Sequence, residues 1–153
     1  MELTASRVVD APADVVWRLQ LAHAQWPTHI PNFTAVEPLD PARFGAGSTV
    51  RITQAGLGTV EWTVDEFADT GPIRSFAWSG RAKCTSYVGT HRVVAESDGR
   101  TRLTLGLIAT GGLVKVVGPM LKGTMQKAID AEADCFVRWA ADVQAGQTSA
   151  GQA

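Results

Sequence analysis

The chain has 153 residues, 45% of them hydrophobic and 19% charged, and Lys+Arg 14 against Asp+Glu 15 leaves a formal net charge of −1. That length and composition predict one domain with a real core and exclude a largely disordered chain. The balanced charge gives no general pull toward nucleic acid or an anionic membrane, and no Lys/Arg run supplies a local one.

Residues 2–10 read as a strand. In Asp10-Ala11-Pro12-Ala13-Asp14-Val15-Val16-Trp17, Asp10 can cap a helix and Pro12 can sit in its first turn, where a missing N–H costs nothing. The helix is short, because Trp26-Pro27 interrupts it: a residue before proline is pushed out of the α region. Beyond Pro31 the pattern is all strand. Residues 33–39 and 48–53 are two candidates, and Val60, Trp62 and Val64 then alternate with polar residues. Phe76 and Trp78 share a face of the next strand, a long strand covers 84–96, and Leu103, Leu105 and Leu107 alternate in the last. Short turns such as Ser97-Asp98-Gly99 separate them. Period-two alternation in consecutive segments means an antiparallel sheet with one dry face.

Gly111-Gly112 ends the last strand, and residues 113–145 read as a helix with Leu121, Met125, Ile129, Phe136, Ala140 and Val143 on one stripe. Gly118-Pro119 is expected to break or kink its first part. Residues 146–153, small and polar, are expected to be a disordered tail after a domain of residues 1–145. The fold class is therefore α+β: a curved antiparallel sheet of about seven strands, two short helices after the first strand, and one long C-terminal helix. A single helix about 10 Å across is too narrow to fill a broad sheet, so a gap between the two is expected.

The opening residues lack an apolar signal-peptide core, and the most apolar short run, 113–117, contains Lys115. A cytoplasmic protein without integral membrane contact is the expectation. Cys84 and Cys135 are far apart and form neither a disulfide framework nor a CxxC motif; with no cationic neighbour in view they read as inert thiols. Gly118 and Gly123 have the spacing of a phosphate loop, but Lys122 precedes the second glycine, so the signal fails. No GxGxxG follows a strand, no GxSxG occurs, and His23 and His29 have no metal-ligand spacing. Neither metal nor cofactor is expected, and His23 and His29 read as surface or cavity-rim residues.

Asp10 to Trp17, Trp26-Pro27, Phe44-Gly45-Ala46-Gly47-Ser48-Thr49-Val50, Thr90-His91-Arg92-Val93, and Asp98-Gly99-Arg100-Thr101-Arg102-Leu103-Thr104-Leu105 together resemble the START/Bet v 1-like (SRPBCC) superfamily. Within it the chain is similar to bacterial polyketide cyclase/dehydrase-type members. The resemblance covers residues 3–143 and implies the helix-grip fold. It also implies a hydrophobic cavity, between sheet and helix, that accepts a small apolar molecule. It does not choose among carriers, cyclases and partner-binding modules, which share that cavity.

The inward-reading residues are Trp62, Phe76, Trp78, Tyr87, His91, Leu105 and Leu107 of the sheet and Leu121, Met125 and Ile129 of the helix. An aromatic and methionine wall with few polar groups suits a small-ligand pocket. His91 is the one inward-reading histidine; buried, it is expected to be neutral and to orient a ligand oxygen or act as a general base. Tyr87, on the same face, lies about 13 Å away along the strand, where it can touch the other end of one ligand. Glu132 is expected on the flank of the helix stripe. The first functional reading is a binder of a lipid-like or aromatic polyketide-like molecule. The alternatives are a cyclase/dehydratase-type enzyme with His91 and Tyr87 as acid/base groups, and a protein-interaction module displaying an apolar patch near Trp26 or on the outer sheet. A homodimer is left open.

Overall fold

A computed structural model describes the backbone of residues 1–152 and the side chains of residues 1–147. In chain order the elements are β1 (Glu2–Val9), α1 (Ala13–Leu21), a single turn at His23–Gln25, α2 (Trp26–His29), β2 (Phe33–Pro38), β3 (Thr49–Gln54), β4 (Gly58–Ala68), β5 (Ile73–Ala82), β6 (Thr85–Ala95), β7 (Thr101–Thr110) and α3 (Gly112–Gln152). The side chains of most of the expected tail, from residue 148 onward, lie outside the described residues, and α3 is assigned through Gln152.

The seven strands form one sheet in the order β1-β7-β6-β5-β4-β3-β2. All six pairings are antiparallel, so the meander from β2 to β7 is completed by β1 pairing back onto β7. Register shifts in β2 between Phe33 and Ala35 and in β4 between Val64 and Glu66 mark the irregularities that bend such a sheet. Val60, Trp62, Val64, Phe76, Trp78, Val93, Leu103 and Leu105 are buried on its concave face, as their alternation predicts. This is the helix-grip fold.

Two local expectations fail, and of the break or kink expected at Pro119 the break does not occur. Asp10 does not cap α1: Pro12 is itself the N-cap residue, in an extended conformation, and its carbonyl accepts from the Val15 and Val16 N–H groups at 3.0 and 3.2 Å. Trp26 is helical despite preceding Pro27, so α2 forms one turn there; the Trp26 indole N–H donating to the Leu19 carbonyl at 3.1 Å fixes that conformation. Helix α3 runs through Pro119 without a break. Proline removes one N–H from the helix, but the turns around it are largely exposed, so solvent serves the freed carbonyl.

Burial along α3 is uneven. Ile129, Ala133, Phe136 and Ala140 are buried at spacings of four, three and four, whereas Leu113, Val116, Met120 and Leu121 are exposed large apolar residues. The C-terminal half of the helix closes the core. The earlier part stands over the sheet less tightly, and a void lies beneath it.

Candidate functional site

The void is a cavity of about 210 Å³ between α3 and the concave face of the sheet. Trp62 and Trp78 from β4 and β5, His91 from β6, Leu105 and Leu107 from β7, and Leu121, Met125 and Ile129 from α3 all line it. The remaining two expected contacts do not reach it. Phe76 is buried behind the wall, with its ring 5.1 Å from Trp78 and 6.2 Å from Trp17. Tyr87 is half-buried, 6.2 Å from the Trp62 ring, so the structure does not bring it and His91 to one cavity wall.

Further lining comes from Asn32, Phe33, Ile52, Leu57, Thr124 and Glu132, none of them among the expected contacts. Asn32 immediately precedes β2 and Leu57 immediately precedes β4, and the chain path that brings them to the cavity is a tertiary property. Glu132 overturns its expected flank position, being 8% exposed and a cavity residue. Its spacing was a usable signal, since it falls three residues after Ile129 and four before Phe136, both buried.

His91 is held on all sides. Its ring stacks on Phe76 at 4.4 Å and 14° and on Trp26 at 5.4 Å and 16°. Its Nδ1–H donates to Oε1 of Gln20 in α1 at 2.7 Å, inside the core. An amide oxygen only accepts, so Nδ1 carries the proton and Nε2 keeps its lone pair. Burial pushes the imidazole down to about 3, so the ring is neutral throughout the physiological range. Burial pushes the Glu132 carboxyl the other way, up to about 8.

Trp26 is fully buried against Phe33, Trp78, His91 and Phe136, so it displays no apolar patch. On the outer sheet face, Val88 and Ile108, direct partners across β6 and β7, are partly exposed. His23 and His29 are half-buried outside the cavity. His23 lies against Phe44 and donates to the Leu21 carbonyl at 3.0 Å, and His29 stacks on Trp139 at 4.0 Å. Cys84 is exposed. Cys135, by contrast, has a cationic neighbour after all: it is buried and accepts a hydrogen bond from Arg138 at 3.1 Å. No helix is long and apolar enough to cross a membrane among the described residues.

The family model described as polyketide cyclase/dehydrase and lipid transport matches residues 1–143. The chain belongs to this family. No curated protein matches it. Among solved structures, a hypothetical protein of Helicobacter pylori is similar at TM-score 0.80 and 18% identity, covering 92% of this chain and 88% of its own. A START superfamily protein from Mycobacterium smegmatis is similar at TM-score 0.77 and 15% identity, covering 93% and 98%. The Zhui aromatase/cyclase of Streptomyces sp. R1128 is similar at TM-score 0.69 and 21% identity, covering 92% and 93%. At these identities the likeness is one of fold.

Proposed function

We propose that this protein binds a small hydrophobic molecule, lipid-like or aromatic and polyketide-like, in the cavity between the sheet and α3. One observation carries the reading: an apolar-walled void of about 210 Å³ lined by Trp62, Trp78, Leu105, Met125 and Ile129. An apolar cavity of about 150 Å³ stays dry and takes up benzene, so this one is ample for a ring-sized body. The family description, which names lipid transport beside cyclisation, supports the same class of guest. Titration with a panel of lipids and fused-ring aromatics, read by native mass spectrometry and by quenching of tryptophan fluorescence, tests it. Binding that weakens when Met125→Trp fills the void supports the reading, and a panel without a single binder sinks it.

A cyclase/dehydratase-type activity is the second reading. It is favoured by His91, a cavity-lining residue whose neutral ring, held through Nδ1 by Gln20, can orient a substrate oxygen; lowered to about 3, the ring is a weak base near neutral pH. Tyr87 gains no support as its acid partner, lying off that wall. Turnover of a poly-β-keto substrate that survives His91→Phe removes the proposed role of His91. A cytoplasmic setting goes with the reading, and cell fractionation tests it.

A further inference from the structure

Glutamate is almost never buried to this degree unless it is paired. Glu132 is 8% exposed, lines the cavity, and has no hydrogen-bond or ion-pair partner among the described residues. No Lys or Arg lines the cavity, and His91, across from α3 on β6, is the other titratable group there. The other charged and titratable groups on elements packed against α3 do not line the cavity. Arg7 of β1 is paired with Asp130 and Asp134 at 3.3 and 2.7 Å, and His29 of α2 is stacked on Trp139. Leucine or glutamine would occupy this helix position without burying an unpaired acid.

We propose that Glu132 is the anchor for a ligand carrying a basic amine on an apolar body, and that the cavity selects against ligands carrying a carboxylate. This rests on the binding reading above and adds the polar end of the guest. An ammonium group supplies the one charge the cavity lacks, and the faces of Trp62 and Trp78 suit a cation as well as a ring. A ligand carboxylate would instead enter a low-dielectric space holding an acid and no cation. A neutral hydroxyl needs only an amide partner, which does not account for the carboxyl.

Proton balance follows from the same geometry. Burial leaves the carboxyl protonated in the empty cavity at pH 6, with its proton held up to about pH 8. An amine entering as ammonium forms an ion pair with the carboxylate, and the carboxyl proton leaves to solvent. Amine affinity therefore rises with pH by up to about tenfold per unit below pH 8, while a neutral guest shows no such slope. His91 contributes nothing to this slope, being neutral throughout that range.

Three probes of one shape test the proposal by calorimetry at pH 6 and pH 8: naphthylethylamine, naphthylethanol and naphthylacetate. The expected result is amine binding at least about tenfold tighter than the other two at pH 8, with proton release at pH 6. Glu132→Gln should remove both the amine's advantage over naphthylethanol and the proton release at pH 6. An amine advantage that survives in Glu132→Gln overturns the anchor. Binding of the alcohol with no amine advantage overturns the anchor and leaves the apolar-binding reading standing. Failure of all three probes overturns both.

Discussion

His91 on β6 and Gln20 on α1 are separated by 71 residues and joined by a 2.7 Å hydrogen bond in which both side chains are buried. The bond ties the first helix to the centre of the sheet and sets which imidazole nitrogen carries the proton. Gln20→Leu should leave the His91 N–H without an acceptor, at a cost of about 1–3 kcal/mol in urea denaturation. The double variant Gln20→Leu/His91→Leu removes both polar groups, so its loss should fall short of the sum of the two single losses. Strict additivity would mean the bond contributes nothing.

Two opposed burial effects shape stability against pH. His91 sits at about 3 in the fold against its ordinary 6.5, and Glu132 at about 8 against 4.5. Between pH 3 and 4.5 the unfolded chain binds the extra proton, on His91, and stability rises with pH. Between 4.5 and 6.5 the unfolded chain still holds that proton, but the native state alone keeps the one on Glu132, and the slopes cancel. From 6.5 to 8 only the Glu132 difference remains, and stability falls as pH rises. These two groups thus produce a plateau near pH 4.5–6.5 with a limb of about 2 kcal/mol on each side. Glu132→Gln should abolish the alkaline limb and extend the rise unbroken from pH 3 to 6.5. Denaturation curves for the native sequence that stay level from pH 6.5 to 8 would contradict the buried, unpaired state of Glu132.

Trp26 is the hub of the aromatic core, fully buried, within 6 Å of Phe33, Trp78, His91 and Phe136 by ring centroid, and bonded through its indole N–H to Leu19. Trp26→Phe keeps much of the apolar volume but loses the indole bond, leaving the Leu19 carbonyl with the Ala22 N–H at 3.3 Å, so a loss of about 0.5–1.5 kcal/mol is expected. Trp26→Ala also opens a large void, and about 3–5 kcal/mol should go. Thermal unfolding of both variants checks the order; a Trp26→Ala protein as stable as Trp26→Phe would refute the packing account.

The strands were readable because burial on one face imposes a period of two, so Val60, Trp62, Val64, Leu103 and Leu105 announced both the sheet and its inward side. The same parity found Trp62, Trp78, His91, Leu105 and Leu107 of the cavity wall. It could not find Gln20, because a polar side chain on a short helix looks like a solvated one until its partner from 71 residues away is in place. Glu132 was misplaced for a related reason: a charge on a helix is usually at the flank, and only the missing partner reveals that the helix presses it into an apolar space. Parity also overreached at Tyr87, which faces inward but lies away from the void. Facing inward is a property of one strand. Lining a cavity depends on how far the covering helix extends, which is a property of the whole fold.

Glycines 89 and 106 provide a paired test of how tightly the wall is built. Neither needs its backbone freedom, since the glycines with positive φ lie elsewhere. A Cβ on Gly89 would collide with the indole Nε1 of Trp78, stand 2.8 Å from its Cδ1, and touch Trp62 at 3.5 Å. Both indoles are buried, and Trp78 is hemmed by Trp26, Phe44 and Phe76, so the ring has nowhere to retreat except into the cavity. Gly89→Ala should therefore cost about 1–3 kcal/mol, shift the tryptophan emission, and shrink the space for a guest. A Cβ on Gly106 would meet only the hydroxyl of Thr90, an exposed side chain whose χ1 can turn away. Gly106→Ala should stay within about 0.5 kcal/mol of the native sequence. Should Gly89→Ala prove as mild as Gly106→Ala, with emission and guest affinity unchanged, Trp78 would not be the rigid cavity wall that its neighbours make it.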